Sequence, residues 1–520
     1  MVSSREPDTI SCWSSALFVN GLIWDSREMR FRKGELLLSD GRIERISFSG
    51  GISDSERSGA RSFDLEGGLL SPAFIDGHMH LMQWSISNSG VDLSGCHSED
   101  EIVERISHVV EGKDRNFIFD RTGIIFGTDY DDSRFEKGTF QNGNFLEREF
   151  KGIPVILRRV CGHRALLNSD GIEKIGMSCE FVHENMVSEV HAMELPWRIP
   201  LDISTVVDLL QESMERLYHL GVAGGVEILP LSQIGRMDEA ISRTGHIFRI
   251  TISMIRDRDK LQVRGHAPGS WDGQPSNEAK SGSAMPMVFE KFFLDGSIGA
   301  RTASFSVDYF DSPSCPLVYE DLDLREMIER SYDQGFIPMA HCIGNKAISQ
   351  AVHVFEGYRL PYRLEHAESI DLAHLKEMKG GKGALCLQPN FQHVWGRKDG
   401  LYERALGACS KDLNPFRWII GSGVPMCFGT DMMPPGPLHA FKGGIDHPNP
   451  AQRLSLIEMI KGFSLNSARL SFLSDRYSGD LVEGSEPDMI VVDTKMDEVR
   501  ATIIGGRFVH LRSQAICPDP

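Results

Sequence analysis

The residues best suited to metal chemistry begin with two histidines one residue apart, His78 and His80, in the segment GLLSPAFIDGHMHL. In an extended strand, residues i and i+2 point to the same side, so the two imidazoles can converge on one metal ion. The pair directly follows an apolar run, and Gly77 before it permits the close backbone approach that a crowded site needs. An isolated His-x-His pair also occurs by chance, so the pair alone leaves a metal site as a hypothesis.

A second candidate is Lys291, in the middle of the apolar segment MVFEKFFLDGS. With strand periodicity, Phe289, Lys291 and Phe293 share one face. Burial lowers the pKa of a lysine and leaves a nucleophilic amine, which can take up carbon dioxide and become a carbamate that bridges two cations. The alternative is a cross-strand Lys–Glu pair on an edge strand.

Three further residues close apolar runs of strand length: His341 in FIPMAH, His366 in YRLEHA and Asp431 in VPMCFGTD. Their separations of 25 and 65 residues fit one and two βα units of about 30 residues each in a barrel. Each alone is compatible with a structural histidine or a helix-capping aspartate. Together with the His-x-His pair they favour a metal site at the carboxyl ends of barrel strands.

The elements that position these residues alternate between short apolar runs and helical patterns from about residue 71 to 475. This alternation predicts an α/β fold with a (β/α)₈ barrel over 71–475, and an insertion around 97–200. The segments 1–70 and 476–520 contain short β runs with turns such as Asp40-Gly41 and Gly505-Gly506, which predict the two parts of one β-sandwich. Two independent edge hairpins are the alternative.

Composition excludes several classes of protein. The 520 residues are 41% hydrophobic and 25% charged, which is typical of a globular protein. The net charge of −18 disfavours nucleic acid and anionic membranes as partners, and no apolar run approaches the ~18 residues of a membrane span. Ten scattered cysteines without a C-x-x-C pair predict reduced thiols and a cytoplasmic protein.

Five motifs of the chain resemble those of a known family: PAFIDGHMHL, KFFLDGSIGARTA, AHCIGNKAI, YRLEHAESI and FGTDMMP. They are similar to motifs of the amidohydrolase superfamily, and more narrowly of the amidohydrolase 3 (YtcJ-like) group, which includes N-substituted formamide deformylase. One small departure is Pro487-Asp488, where relatives usually have Ala-Asp. The resemblance implies a metal-dependent (β/α)₈ TIM barrel, a composite β-sandwich from both termini, and an inserted subdomain after barrel strand 1.

The resemblance also implies the role of each candidate ligand. A first metal would be held by His78 and His80, a second by His341 and His366, with carboxylated Lys291 bridging them. Asp431 would bind the first metal and act as general base. Two divalent ions are implied, with zinc favoured and iron, manganese or nickel also suited to these ligands.

The activity implied is cleavage of a C–N bond in an amide, formamide or N-acyl compound by a metal-activated water. Two alternatives remain: hydrolysis of an ester, lactone or phosphotriester at the same site, and a non-catalytic barrel scaffold. The expected partner is a small-molecule substrate, and a homodimer is a family-level expectation.

Three candidate substrate-binding residues follow the predicted strand that contains Lys291: Asp295, Ser297 and Arg301. A fourth, His163, lies in the predicted insertion. Arg301 could clamp a carboxylate through its fork of donors. The alternatives are a surface arginine and a helix-capping serine. Asn168, five residues after His163, is also suited to capping a helix. His393 could reach the substrate pocket, and the alternative for it is a solvated loop.

Overall fold

The structure is a computed structural model that describes residues 15–135, 143–160, 162, 164–188, 190–256, 285–473 and 477–512. The strands within these ranges, in chain order, are β1 (Ser15–Asp25), β2 (Arg30–Ser39), β3 (Arg42–Ser47), β4 (Arg61–Asp64), β5 (Leu69–Pro72), β6 (Phe74–Met79), β7 (Val91–Asp92), β8 (Ile125–Tyr130), β9 (Val155–Arg159), β10 (Arg164–Leu167), β11 (Met186–Ser188), β12 (Val222–Pro230), β13 (Arg249–Ile255), β14 (Met287–Phe293), β15 (Ile337–Cys342), β16 (Tyr362–His366), β17 (Gly383–Leu387), β18 (Met426–Phe428), β19 (Met489–Val492), β20 (Val499–Ile504) and β21 (Arg507–Leu511).

The helices, in the same order, are α1 (Asp54–Arg57), α2 (Leu81–Asn88), α3 (Glu99–Val110), α4 (Phe117–Thr122), α5 (Asn144–Glu149), α6 (Ser169–Lys174), α7 (Val190–Met193), α8 (Leu195–Arg198), α9 (Ile203–His219), α10 (Leu231–Thr244), α11 (Asp321–Asp333), α12 (Asn345–Glu356), α13 (Leu372–Met378), α14 (Pro389–Trp395), α15 (Leu401–Leu406), α16 (Phe416–Ser422), α17 (Pro437–Ile445), α18 (Leu456–Phe463) and α19 (Leu465–Leu470). Every helix of the described ranges is too short or too polar to span a bilayer.

The largest part of the fold is a parallel barrel sheet in the order β6-β12-β13-β14-β15-β16-β17-β18. The ends of the first and last strands meet: the amide of Asp431 donates to the carbonyl of His78 at 2.8 Å, and the amide of Thr430 donates to Asp76 at 2.8 Å. Apolar side chains such as Val226, Phe289 and Met339 form a buried cluster in the strands. This packing is the filled interior that a barrel requires.

A second sheet combines both ends of the chain in the order β21-β20-β19-β5-β1-β2-β3, with β4 paired to β1. Its two halves join where β5 and β19 run antiparallel, with Leu70 opposite Val491. The alternative of two separate hairpins is therefore excluded. Asp488, immediately before β19, is 1% exposed and binds Arg249 at the start of barrel strand β13.

A separate compact unit comprises His80–Ser213 and Gly235–Gly245. It contains a five-stranded sheet in the order β11-β10-β9-β8-β7. A buried cluster of its own, including Ile106, Phe145 and Leu157, forms its core. Asn168 is fully buried and its side-chain oxygen accepts from the amide of Gly171 at 2.9 Å, so it caps α6.

These observations confirm the predicted fold class: a (β/α)₈ barrel, a sheet built from both termini, and an insertion after the first barrel strand. The exact domain limits 1–70, 71–475 and 476–520, and an insertion limited to about 97–200, stay predictions.

Candidate metal centre

The predicted histidine ligands lie at or directly after the ends of barrel strands. His78 is the penultimate residue of β6 and His80 follows that strand directly. His341 and His366 lie at the ends of β15 and β16. Parallel strands have their carboxyl ends on one rim of the barrel, so residues distant in sequence come together there.

Distances between rings show that the histidines gather. The imidazole centroids of His78 and His366 are 4.9 Å apart, and those of His366 and His341 are 4.5 Å apart. The Nε2 atom of His78 lies 3.6 Å from a carboxylate oxygen of Asp431. Candidate ligand atoms of His78, His80 and Asp431 all lie within 4.8 Å of one another, and this combination of imidazole and carboxylate suits zinc and similar ions.

The backbone at two of these positions is unusual. His366 has a φ of 67° and Asp431 a φ of 55°, both in the left-handed region. A non-glycine residue there costs roughly 1–3 kcal/mol, and such residues cluster at active sites and ligand clamps. The turn at each position lets the chain leave its strand abruptly at the rim.

Lys291 lies in the interior of the barrel sheet and not at an edge. Its strand β14 pairs with β13 on one side and with β15 on the other. The side chain is 4% exposed. Glu290, its neighbour along the strand, binds Arg256 at 2.6 Å, so the alternative of a Lys–Glu pair on an edge strand is wrong.

The amine of Lys291 is suited to modification. Among the residues that the structure describes, none accepts a hydrogen bond from its Nζ atom. Burial lowers the pKa of this amine to about 8, against the opposing effect of the carboxylates of Glu365 and Asp431. A buried lysine of lowered pKa is more often neutral and nucleophilic than an exposed one.

Burial also keeps two of the imidazoles neutral. It lowers the pKa of His78 to about 4 and that of His341 to about 3, and the nearby Lys291 adds to both effects. Neutral imidazole is the form that binds metal ions.

Sequence reasoning missed the residues that hold His78 in place. Its Nδ1 atom lies 2.5 Å from the carboxylate of Glu365, which leaves Nε2 directed toward Asp431. Arg363 is fully buried and donates to Glu365 at 2.6 Å and to the carbonyl of Gly77 at 2.9 Å. The sequence did contain a signal for them: Arg363 and Glu365 are oppositely charged and lie at i and i+2 in the predicted strand YRLEH. Because buried charges need partners, such a pair indicates an ion pair on one face of the strand.

A third missed residue is Asp76, which is 1% exposed. Its carboxylate accepts hydrogen bonds from the amides of His78 and Thr430 and from the hydroxyl of Thr430. Burial raises the pKa of this carboxyl to about 7, in opposition to those hydrogen bonds. Asp76 thus ties the end of β18 to the end of β6.

Three of the four predicted substrate-binding residues, Asp295, Ser297 and Arg301, have hydrogen-bond partners within the protein. Asp295 is buried and accepts from the amides of Ser304, Ile343 and Gly344 at 2.8–3.0 Å. It connects the loop after β14 to the loop after β15, and its nearest oxygen is 3.6 Å from Nε2 of His341.

The other predicted substrate-binding residues are Arg301, Ser297 and His163. Arg301 pairs with Asp311 through two hydrogen bonds of 2.8 and 3.0 Å. The hydroxyl of Ser297 accepts from the amide of Ala300 at 3.1 Å. His163 lies outside the described residues. Substrate binding by Asp295, Ser297, Arg301 and His163 stays a prediction. His393, which the sequence suggested to be in a solvated loop, lies on helix α14.

The sequence is similar to those of known proteins over nearly the whole chain. The sequence model described as "Amidohydrolase family" matches residues 61–510. The chain is 23% identical to "Putative amidohydrolase YtcJ" of Bacillus subtilis (strain 168), over 96% of this chain and 100% of that protein. It is also 23% identical to "Protein LONG AFTER FAR-RED 3" of Arabidopsis thaliana, over 95% of this chain and 91% of that protein.

Among solved structures, an uncharacterized metal-dependent hydrolase from Pyrococcus furiosus superimposes with a TM-score of 0.71. The two chains are 24% identical, and the match covers 93% of this chain and 99% of that one. At this identity the likeness concerns the fold.

Proposed function

The chain belongs to the amidohydrolase family, as its motifs predicted, and from this premise we propose that it is a metal-dependent hydrolase of small molecules. The observation that supports the proposal most directly is the gathering of His78, His341, His366 and Asp431 at one rim of the barrel. Burial lowers the pKa of His78 and His341, and the buried amine of Lys291 is close enough to lower both further. Donors of these types suit divalent transition metals.

The residues would divide the binding of two metal ions between them. His78, His80 and Asp431 would hold one ion, and His341 and His366 the other. Lys291 as a carbamate would bridge the two, for which its buried amine, without an acceptor among the described residues, is suited. When bound, such ions lower the pKa of a water molecule from 15.7 to about 7 and thereby supply a nucleophile at neutral pH.

The chain's own residues would supply the proton transfer and the orientation. The carboxylate of Asp431 would accept the proton of the attacking water and return it to the leaving nitrogen. Glu365 would keep the proton of His78 on Nδ1, so that Nε2 stays available as a ligand.

We further propose that the bond cleaved is a C–N bond of an amide, formamide or N-acyl compound. The family and the name of the Bacillus relative support this choice over an ester, lactone or phosphotriester. Similarity to N-substituted formamide deformylase stays a prediction. Turnover of formamides and N-acyl amines, compared with lactones and aryl phosphotriesters, tests the choice, and turnover of the esters alone would contradict it.

The metal centre is tested by measuring metal per chain in the wild type and in Lys291→Ala. We expect two ions in the wild type, fewer in the variant, and partial recovery when short carboxylic acids replace the missing carbamate. Lys376→Ala, on the exposed side of α13, is the control and should keep the wild-type content. Unchanged metal content in Lys291→Ala would refute the bridging role.

A further inference from the structure

The structure contains a cavity of about 470 Å³ that none of the candidate metal ligands lines. Its walls come from the end of α9, from α17, from the start of β20 with the residues just before it, and from the end of β21 with Arg512 after it. The volume falls within the range of about 300–1,000 Å³ that is typical of small-molecule sites. Its polar lining includes three histidines, two cations and two carboxylates: His219, His439, His510, Lys442, Arg512, Asp497 and Glu498.

One side of the cavity is cationic. His439 and Lys442 lie one turn apart on α17, and the ring of His393 on α14 lies 4.9 Å from that of His439. Burial lowers the pKa of His439, and Lys442 and Arg397 lower it further. Within the described ranges, neither Lys442 nor Arg397 has a carboxylate as an ion-pair partner. Of these two cations, only Lys442 lines the cavity.

The same side offers an unused donor or acceptor. The Nε2 atom of His439 is buried, and no described residue forms a hydrogen bond with it. A buried polar atom without a partner costs about 1–3 kcal/mol. A ligand that hydrogen-bonds to this atom would remove that cost.

The rest of the lining contains two histidine rings and both carboxylates of the cavity, Asp497 and Glu498. The rings of His219 and His510 have centroids 4.1 Å apart and are tilted by 38° to one another. Glu498 there forms an ion pair with Arg512, so its carboxylate is compensated. Burial lowers the pKa of His510 to about 4, and the neighbouring His219 contributes, so the ring of His510 is uncharged at neutral pH.

We propose that this cavity binds a small organic anion that combines a phosphate or carboxylate group with a planar ring. The anionic group contacts His439 and Lys442, where charge-assisted hydrogen bonds are available. The planar ring lies against His219 and His510. The site is separate from the proposed metal centre, and the proposal does not depend on the reaction catalysed there.

Isothermal titration of the full chain with AMP and with adenosine tests the proposal, since the two probes share the ring and differ in the phosphate. We expect AMP to bind, and adenosine to bind at least about tenfold more weakly. Lys442→Gln and His439→Gln should each weaken AMP binding about tenfold or more, as expected for loss of a hydrogen bond to a charged group. Lys376→Gln, an exposed helical lysine far from the lining set, should leave it unchanged.

A further variant separates the cavity from the metal centre. His78→Ala should keep the wild-type affinity for AMP, because the cavity does not include that residue. Absence of saturable AMP binding to the wild type would overturn the proposal. Binding that survives both cavity substitutions, or that disappears in His78→Ala, would overturn it as well. Lys442 is exposed on its helix, so its substitution is compatible with folding even if that of His439 is not.

Discussion

At the scale of single residues, the candidate centre depends on side chains that are buried and yet chemically competent. Lys291 and His78 are 4% and 1% exposed, and burial shifts both toward their neutral forms. Neutral nitrogen is what carbamate formation and metal binding require. The buried environment therefore prepares the residues for the proposed chemistry, at the cost of desolvating them.

Asp431 is predicted to matter more for turnover than for metal binding. In Asp431→Asn we expect kcat to fall by about 10²–10⁴, the usual contribution of a positioned general base, with a smaller loss of metal. His78→Ala should lose metal and activity together. Metal analysis alongside steady-state kinetics checks both variants. Equal loss of metal in the two would show that Asp431 acts mainly as a ligand.

Glu365 is predicted to position His78. Glu365→Gln removes the carboxylate that lies 2.5 Å from Nδ1, and such outer partners typically contribute about 10–100-fold in metal affinity. Equilibration against graded chelator measures this loss. Glu290→Gln is the matched control, because Glu290 also forms a buried pair with an arginine but in β14 and with Arg256. If both variants lose metal equally, the effect is one of folding and not of positioning.

At the scale of elements, the rim is held together by contacts between the first and last barrel strands. A Cβ atom on Gly77 would lie 2.7 Å from the carbonyl oxygen of Phe428 and 3.0 Å from the sulfur of Cys386. Only glycine lets β6 and β18 approach so closely at this level. Because Gly77 directly precedes His78, the close packing of β6 against β18 also determines where the imidazole of His78 lies.

Gly77→Ala should accordingly lower the free energy of unfolding by about 1–3 kcal/mol, the usual effect of overpacking, and reduce metal content. Urea denaturation and metal analysis measure the two effects. Gly421→Ala is the comparison, because a Cβ there meets open space on α16 and helical Gly→Ala changes stabilise by up to about 1 kcal/mol. Wild-type stability in Gly77→Ala would mean that the strands can separate without penalty.

At the scale of the whole molecule, one buried ion pair connects the terminal sheet to the barrel. Asp488 is 1% exposed and accepts two hydrogen bonds from Arg249 and one from the amide of Gly505. The motif EPDMIVVD therefore has a structural explanation: its aspartate joins β19 to β13.

Asp488→Asn should destabilise the protein by several kcal/mol, since breaking a buried pair costs about 3–5 kcal/mol. Chemical denaturation of the full chain measures the change. Glu486→Gln, in an exposed pair 3.6 Å from Arg42, should change stability by less than about 1 kcal/mol. Equal stability of the two variants would contradict a connecting role for Asp488.

The sequence by itself determined the kinds of residue at the rim and the fold that gathers them. Alternating apolar runs ending in His78, His341, His366 and Asp431 specify parallel strands, whose carboxyl ends must share one face. The motifs indicated the family, because each contains the end of a strand and the residues that follow it. These signals are local in the chain, which is why they can be recognised without coordinates.

Tertiary structure alone decided which side chains contact one another. Glu365 and His78 are 287 residues apart in sequence, and their pairing depends on the barrel closing with β6 next to β18. Asp295 and Arg301 likewise have intramolecular partners that spacing does not reveal. Contacts of this kind arise from the packing of whole elements, since side-chain periodicity specifies a face of a strand but not the residue opposite it.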